Sequence, residues 1–266
     1  MDIKSTQTLW ITGASSGIGQ ALALQYAQSG ANLILSSRRV DELNAVAKEC
    51  EILGGRCFIL PLDLAKMDEA DILVKQAMSF TGKIDILVNS GGISQRGLAL
   101  DTDMTLVRKL MEVNFFGQIA LSKALLPEFI KAGGGRFVVI SSLTGKFGYG
   151  LRSSYAAAKH ALHGYFESLE IENYSNNIKV TMVLPGKINT NVSVNAVLPD
   201  GSTLGKLDVA LANGMPAHEC AKKIMKAIKT NKREVLIGKK EILMVYFKRF
   251  LPSLFFKLAL KQDPTK

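Results

Sequence analysis

Thr12-Gly13-Ala14-Ser15-Ser16-Gly17-Ile18-Gly19 is the stretch that decides the fold. An apolar run, 8–12, leads into it and an amphipathic segment, 18–29, leaves it, so the glycines stand where a strand turns into a helix. Gly13 permits the tight turn, Gly17 lets backbone approach a pyrophosphate, and Gly19 allows close packing of helix on strand. The helix start offers unpaired N–H groups and a partial positive charge to the phosphates. Glycines alone would mark only a turn. The strand before and the helix after make this a dinucleotide-binding loop, with Ser15, Ser16 and Ile18 completing its contact surface.

Outward from the loop, short apolar runs alternate with helical patterns. Residues 8–12, 32–36, 58–62, 84–89, 136–141, 179–184 and 234–237 read as seven buried strands. They are mostly Val, Ile and Leu with little alternation, as expected of a parallel sheet covered on both faces. Segments 18–29, 40–53 and 106–131 carry the helical period. This alternation implies right-handed crossovers and an α/β fold: one Rossmann-type, doubly wound parallel sheet, with 1–266 as a single domain. Two segments break the rhythm. Residues 188–215 lack a period and carry Asn, Gly, Ser and Asp, which reads as a lid over the substrate. Residues 239–266 form a basic, aromatic-rich tail.

Composition narrows the class. A chain of 266 residues, 47% hydrophobic, can bury a full core without staples. Three cysteines, no CxxC and no clustered histidines favour reduced thiols and argue against a metal site. A strand-like run begins at Thr8, leaving no room for a secretory signal, and no apolar stretch reaches the ~18–20 residues that span a bilayer. A cytoplasmic protein is expected. The net charge of +10 suits an anionic cofactor, and basic residues are not interleaved with aromatics as in a nucleic-acid-binding module, so no nucleic-acid partner is expected.

The second strand ends in Ser36-Ser37-Arg38-Arg39. An NAD-specific site places Asp or Glu there to hold the ribose 2′-OH. Ser37 takes that position, and Arg38 offers a planar fork to a 2′-phosphate, with Arg39 beside it. NADP(H) is the expected cofactor.

Tyr155-Ala156-Ala157-Ala158-Lys159 sets a phenol and an ammonium one helical turn apart. Ser142 closes the fifth strand, thirteen residues before Tyr155, and Asn114 lies in the long helix after the fourth. A free tyrosine titrates near ~10, and a nearby ammonium favours its phenolate. Tyr155 then exchanges a proton with a carbonyl or alcohol oxygen, which the Ser142 hydroxyl also hydrogen-bonds. Each residue alone is unremarkable, a surface pair or a cap. Their joint occurrence behind the glycine loop is not.

In order and spacing, Thr12 to Gly19, Asp63, Asn89 to Gly92, Asn114, Ser142, Tyr155, Lys159 and Pro185-Gly186 resemble the short-chain dehydrogenase/reductase family, and the resemblance runs from Thr12 to about Ile237. It implies that Lys159 holds the nicotinamide ribose and that Asn114 orders a water linking Lys159 to solvent. It sets Asp63 and Leu64 near the adenine, Asn89 and Gly91 along the cofactor, and Pro185, Gly186, Ile188 and Thr190 around the carboxamide. Three positions depart: Ser90 and Gly91 stand where the family has Asn and Ala, and Ser16 replaces a basic residue of some NADP-preferring members, leaving Arg38 as the main phosphate clamp. Gly91 to Gln95 and Thr190 to Ala196 look like the NADP-dependent, lipid- and steroid-active branch. A homodimer or homotetramer is implied as well.

Val192, Val194, Val197 and Leu198, with Ile93, Phe147 and Tyr149, are expected to line an apolar pocket. His160 and His163 are expected to face solvent or core. The tail, too short to span a membrane and interrupted by Pro252, reads either as an interfacial helix touching a membrane surface or as a helix docked on the fold. The reaction expected is NADPH-dependent reduction of a ketone or aldehyde, with alcohol oxidation, or cofactor binding without turnover, as the alternatives.

Overall fold

Three consecutive residues show how the sheet is covered: Leu9 and Ile11 join one apolar cluster and Trp10 another, all fully buried. Successive side chains of a strand point to opposite faces, so a strand without polar residues needs protein on both sides. The computed structural model describes residues 6–206 and 209–261. The outermost parts of the chain, with residues 207–208 of the lid reading and 262–266 of the tail reading, lie outside the described residues.

The strands are β1 (Thr8–Thr12), β2 (Asn32–Ser36), β3 (Arg56–Ile59), β4 (Ile86–Asn89), β5 (Gly135–Ile140), β6 (Ile178–Pro185), β7 (Ile188–Asn189), β8 (Met215–Pro216) and β9 (Glu234–Ile237). Seven form one parallel sheet in the order β3-β2-β1-β4-β5-β6-β9, while β7 and β8 pair separately. The helices are α1 (Gly17–Ala27), α2 (Val40–Ile52), α3 (Ala70–Thr81), α4 (Met104–Met111), α5 (Gly117–Lys131), α6 (Ser153–Glu172), α7 (Val209–Ala212), α8 (Ala217–Lys229), α9 (Leu243–Phe250) and α10 (Pro252–Lys261). One face of the sheet takes α1, α2 and α8, whose Cys220, Ala221, Ile224 and Ile228 form an apolar stripe. The other face takes α3, α5 and α6. Strand order reverses between β2 and β4 on either side of β1, and a doubly wound sheet binds ligands at the carboxyl ends beside such a reversal.

Several boundaries differ from expectation. At the edge of the sheet, β3 begins at Arg56, whose guanidinium lies 5.0 Å over the Phe58 ring, and the chain leaves the sheet at Leu60. An edge strand has a free side where an Arg can start it. The expected helix 106–131 is two helices joined by a π-helical turn, Glu112–Phe116. The expected irregular excursion is pinched at its base, where Ile188 pairs with Met215 and Asn189 with Pro216.

The tail divides at Pro252, the first residue of α10, where its missing N–H costs nothing. One side of the α9–α10 hairpin is docked: Phe255, 3% exposed, meets Phe147 at 5.4 Å between ring centroids, and Met244 is buried nearby. The other side exposes Phe250, Leu251, Phe256 and Leu260. No helix among the described residues is long and apolar enough to cross a membrane.

Candidate active site

A cavity of about 700 Å³ opens at the carboxyl ends of the strands and is lined from both halves of the chain. On one side stand Gly13, Ser15, Ser16, Gly17 and Ile18; on the other, Ser142, Tyr155, Lys159, Pro185, Gly186, Ile188 and Thr190.

The glycine loop is built by contact rather than by flexibility. Gly13 has φ +64°, and a Cβ there would lie 2.8 Å from the Cα of Gly91. Gly19 does not line the cavity; a Cβ on it would meet the Gly13 carbonyl oxygen at 2.4 Å, so its part is packing. Thr12, at the end of β1, ties the two central strands: its hydroxyl oxygen accepts from the N–H groups of Ser90 and Gly91, both at 3.1 Å. Ser16 makes no side-chain cap on α1, which leaves the first-turn N–H groups turned to the cavity. These features fit an anionic dinucleotide.

Arg38 lines the cavity as expected, but Arg39 is the cation that crosses the loop. Its Nη2 donates to Ser15 Oγ at 3.0 Å and Ser16 Oγ at 2.9 Å. The basic group missing from position 16 is thus supplied in space by the turn after β2. Asp63 and Leu64 also line the cavity, Asp63 Oδ1 accepting from the Ala65 N–H. Asn89 does not: fully buried, it donates to Ser122 Oγ at 2.9 Å and anchors the wall behind Gly91. Asn89, expected along the cofactor, is thus placed behind the cavity lining.

Ser142 Oγ accepts from Thr144 N–H at 3.2 Å and Thr144 Oγ1 at 3.0 Å, so its own proton remains to be donated elsewhere. Tyr155 departs from expectation. Burial pushes its phenol above the ordinary value, and the opposing pulls come from Arg152, Ser142 and Arg96 rather than from Lys159. The lysine is engaged otherwise: Nζ donates to the Ile140 carbonyl at 2.8 Å and lies 5.8 Å from the Tyr155 ring centroid. Burial brings Lys159 down to about 8, which keeps it cationic at neutral pH.

Asn114 sits in the π turn, a kind of helix defect frequent at functional sites. Both ends of its amide hold one residue, accepting from Ile93 N–H at 3.0 Å and donating to Ile93 carbonyl at 2.9 Å. Of the residues expected in the substrate pocket, Phe147 is buried in the core and Tyr149 packs half-buried against it, and these two, like Val194 and Leu198, do not line the cavity, whereas Ile93, Val192 and Val197 do. His160 and His163 lie outside its lining. His163, on α6 itself, is buried with Nε2 3.0 Å from Ser141 Oγ, and burial brings it down to about 3.

Two residues to which motif reading gave no role complete the site. Arg152 stands in the wall beside Tyr155, and Gln95, fully buried, holds the start of α6.

A family model described as short chain dehydrogenase matches residues 7–199. The dehydrogenase/reductase SDR family protein 7-like of Anopheles gambiae is 42% identical over 258 residues, covering 95% of this chain and 81% of the relative. The mouse dehydrogenase/reductase SDR family member 7B is 39% identical, covering 93% and 78%. Among solved structures, a short-chain dehydrogenase from Streptomyces avermitilis superposes with a TM-score of 0.81 at 26% identity, covering 97% of this chain and 100% of that one. An alcohol dehydrogenase from Thermococcus sibiricus, complexed with 5-hydroxy-NADP, superposes with a TM-score of 0.75 at 26% identity, covering 89% and 97%. Matched at this extent in sequence and in structure, the chain belongs to the short-chain dehydrogenase/reductase family of oxidoreductases, and its seven-stranded doubly wound sheet is that family's fold.

Proposed function

We propose that the protein is an NADPH-dependent reductase of ketones or aldehydes on an apolar substrate. The observation that carries this is the meeting of Ser142, Tyr155 and Lys159 with the glycine loop in one cavity. Gly13, Ser15, Ser16, Gly17 and Ile18 would hold the pyrophosphate, Asp63 and Leu64 the adenine side, and Pro185, Gly186, Ile188 and Thr190 the nicotinamide. Arg38 and Arg39, with no carboxylate at Ser37, favour a 2′-phosphate. When bound, the dinucleotide supplies the hydride.

The chain's own residues handle the proton. Tyr155, held protonated at neutral pH by burial, donates its hydroxyl proton to the substrate oxygen. Ser142 donates a hydrogen bond to that oxygen as negative charge grows on it. Arg152 and Ser142 stabilise the phenolate that remains, while the Lys159 ammonium is fixed on the Ile140 carbonyl. Ile93, Val192 and Val197 give the pocket its apolar wall, and 188–215 acts as the lid. The decisive experiment is a screen of NADPH consumption across ketone, aldehyde, steroid and acyl substrates. Consumption with none of them, by protein that binds NADPH, would leave NADP-linked alcohol oxidation and cofactor binding without turnover as the alternatives.

The tail supports peripheral contact with a membrane surface. Between residues 243 and 261 every charge is positive, Lys248, Arg249, Lys257 and Lys261, beside Phe250 and Leu260, which are 72% and 81% exposed. Deletion is a poor test, because it uncovers Phe147. Replacing Phe250 and Leu260 by Ser leaves the docked side intact and should weaken co-sedimentation with phosphatidylserine vesicles at least about fivefold. Unchanged sedimentation would exclude this face as the contact.

A further inference from the structure

Helix α6, which carries Tyr155 and Lys159, begins without a local cap. Its N-cap residue is Arg152, and a guanidinium has no acceptor to offer. The first-turn N–H groups of a helix need one. Here it arrives from 59 residues upstream: Gln95 Oε1 accepts from Ser154 N–H at 3.0 Å and from Tyr155 N–H at 3.3 Å. These are the second and third helical positions, the ones a capping oxygen serves.

The other end of the amide is fixed as firmly. Gln95 Nε2 donates to Thr102 Oγ1 at 2.9 Å, and the Thr102 hydroxyl donates to the Leu98 carbonyl at 2.7 Å. Its proton committed there, Thr102 can only accept from Gln95, so the amide has one orientation. Gln95 is 0% exposed, and no water competes for it.

The backbone around Gln95 belongs to the lid side. Val197 N–H donates to the Ser94 carbonyl at 2.9 Å, and Arg96 N–H donates to the Val197 carbonyl at 3.0 Å, a short parallel ladder centred on Gln95. Gly97 is pressed on the same segment; a Cβ there would lie 2.5 Å from Pro199 Cγ. Val197 itself lines the cavity.

We infer that Gln95 is a positioning residue that couples the seating of segment 188–206 to the orientation of Tyr155. With the Val197 ladder made, residues 94–96 are held and the amide caps the turn that carries the phenol. With the ladder open, that turn loses its acceptor and frays. The proton donor is therefore set when the apolar wall is closed. The inference rests on the reading of Tyr155 as proton donor for its catalytic consequence, while the mechanical link stands without it.

The test uses the full chain with NADPH, and decanal and 9,10-phenanthrenequinone as probes. Gln95→Met keeps the volume and removes both hydrogen bonds. It should raise amide exchange at Ser154 and Tyr155 about tenfold or more and lower kcat about tenfold, with the KM for NADPH within about twofold. Gln95→Glu keeps an accepting oxygen and, only while its buried carboxyl stays protonated, the donor that Thr102 accepts; it should bring exchange back to within about threefold of the native chain at about pH 5 and less so at about pH 8. Val197→Pro removes the N–H that reaches Ser94. In the native background it should accelerate exchange at Ser154 and Tyr155; in the Gln95→Met background it should add nothing. Native exchange in Val197→Pro, or effects that multiply in the double variant, would overturn the coupling. If Gln95→Met does not fold, Val197→Pro alone decides, since it alters neither Gln95 nor Tyr155. Exchange that follows these expectations while neither probe is reduced would keep the coupling and count against the proton-donor role.

Discussion

Gly13 and Val197 line the same cavity, but the chain holds them there by different means. Gly13 is fixed by backbone geometry: a left-handed φ, a strand behind it, and Gly91 too close to admit another atom. Val197 is held by single hydrogen bonds to Ser94 and Arg96, and its neighbours Leu198 and Ala196 by single bonds to Ser202 and Leu204, in a segment of few regular elements. Nearly any change at the first position is a steric conflict with main chain. At the second it is the loss of a contact. One rim of the cavity is therefore rigid and intolerant, while the other is adjustable, as a site with one fixed ligand and one variable ligand requires.

The sharpest way to test that contrast is at the residue where the rims meet. Tyr155→Phe should lower kcat by about 10²–10⁴ while NADPH binding stays within a few-fold, because only the proton is lost. A variant keeping more than a tenth of the native rate would remove Tyr155 from the chemistry. Gly13→Ala against Val197→Ala tests the rims directly. The alanine at 13 combines positive φ with a backbone clash and should cost about 2–5 kcal/mol, seen as lost NADPH affinity or a lower Tm. Val197→Ala should leave NADPH affinity alone and raise the KM for an apolar carbonyl by less than about tenfold. Equal losses of NADPH affinity in the two would erase the distinction.

Lys159 gives a measurement that needs no substrate. Its folded pKa, about 8, lies below the ordinary lysine value of 10.5. Below about 8 the ammonium is charged in both folded and unfolded chains, and the full penalty of burying it is present. Between about 8 and 10.5 the unfolded chain binds the extra proton, so stability rises with pH there, by an order of about 3 kcal/mol from this group. Urea titrations should show that rise in the native chain and not in Lys159→Met; the same slope in both would assign it to other groups. A further loss is expected at the exposed edge of the rigid rim. Arg38→Ala and Arg39→Ala should each narrow the preference for NADPH over NADH by about 1.5–3 kcal/mol, read by calorimetry. Equal native affinity for the two cofactors would refute the 2′-phosphate reading.

How much of this could be read from residues alone follows the same division. The glycine loop, the strands and the Tyr155–Lys159 pair are local signals, and local spacing carries them. The start of β3 differs from expectation because Arg56 is charged, and only an edge position excuses it. The π turn at Asn114 is a shift in hydrogen-bond register with no side-chain period to announce it. Arg39 rather than Arg38 crosses the loop because the direction of a turn after a strand is set by packing. Phe147 and Tyr149 follow Ser142 closely in sequence, yet the docked tail draws Phe147 into the core. Gln95 was visible only as part of a motif, since a cap supplied across 59 residues leaves no trace near the helix it serves.

The small β7–β8 pair has a consequence for descent rather than for catalysis. It brings the two ends of a long excursion together at a clasp two residues deep, so the intervening chain leaves and rejoins the fold at one point. Doubling the length of such a closed loop costs only about 0.6 kcal/mol of closure entropy. Insertions and deletions within it need not move β6 or α8. A lineage can then exchange this stretch as a cassette and acquire new substrates, while the glycine loop and the sheet beneath it are inherited unchanged.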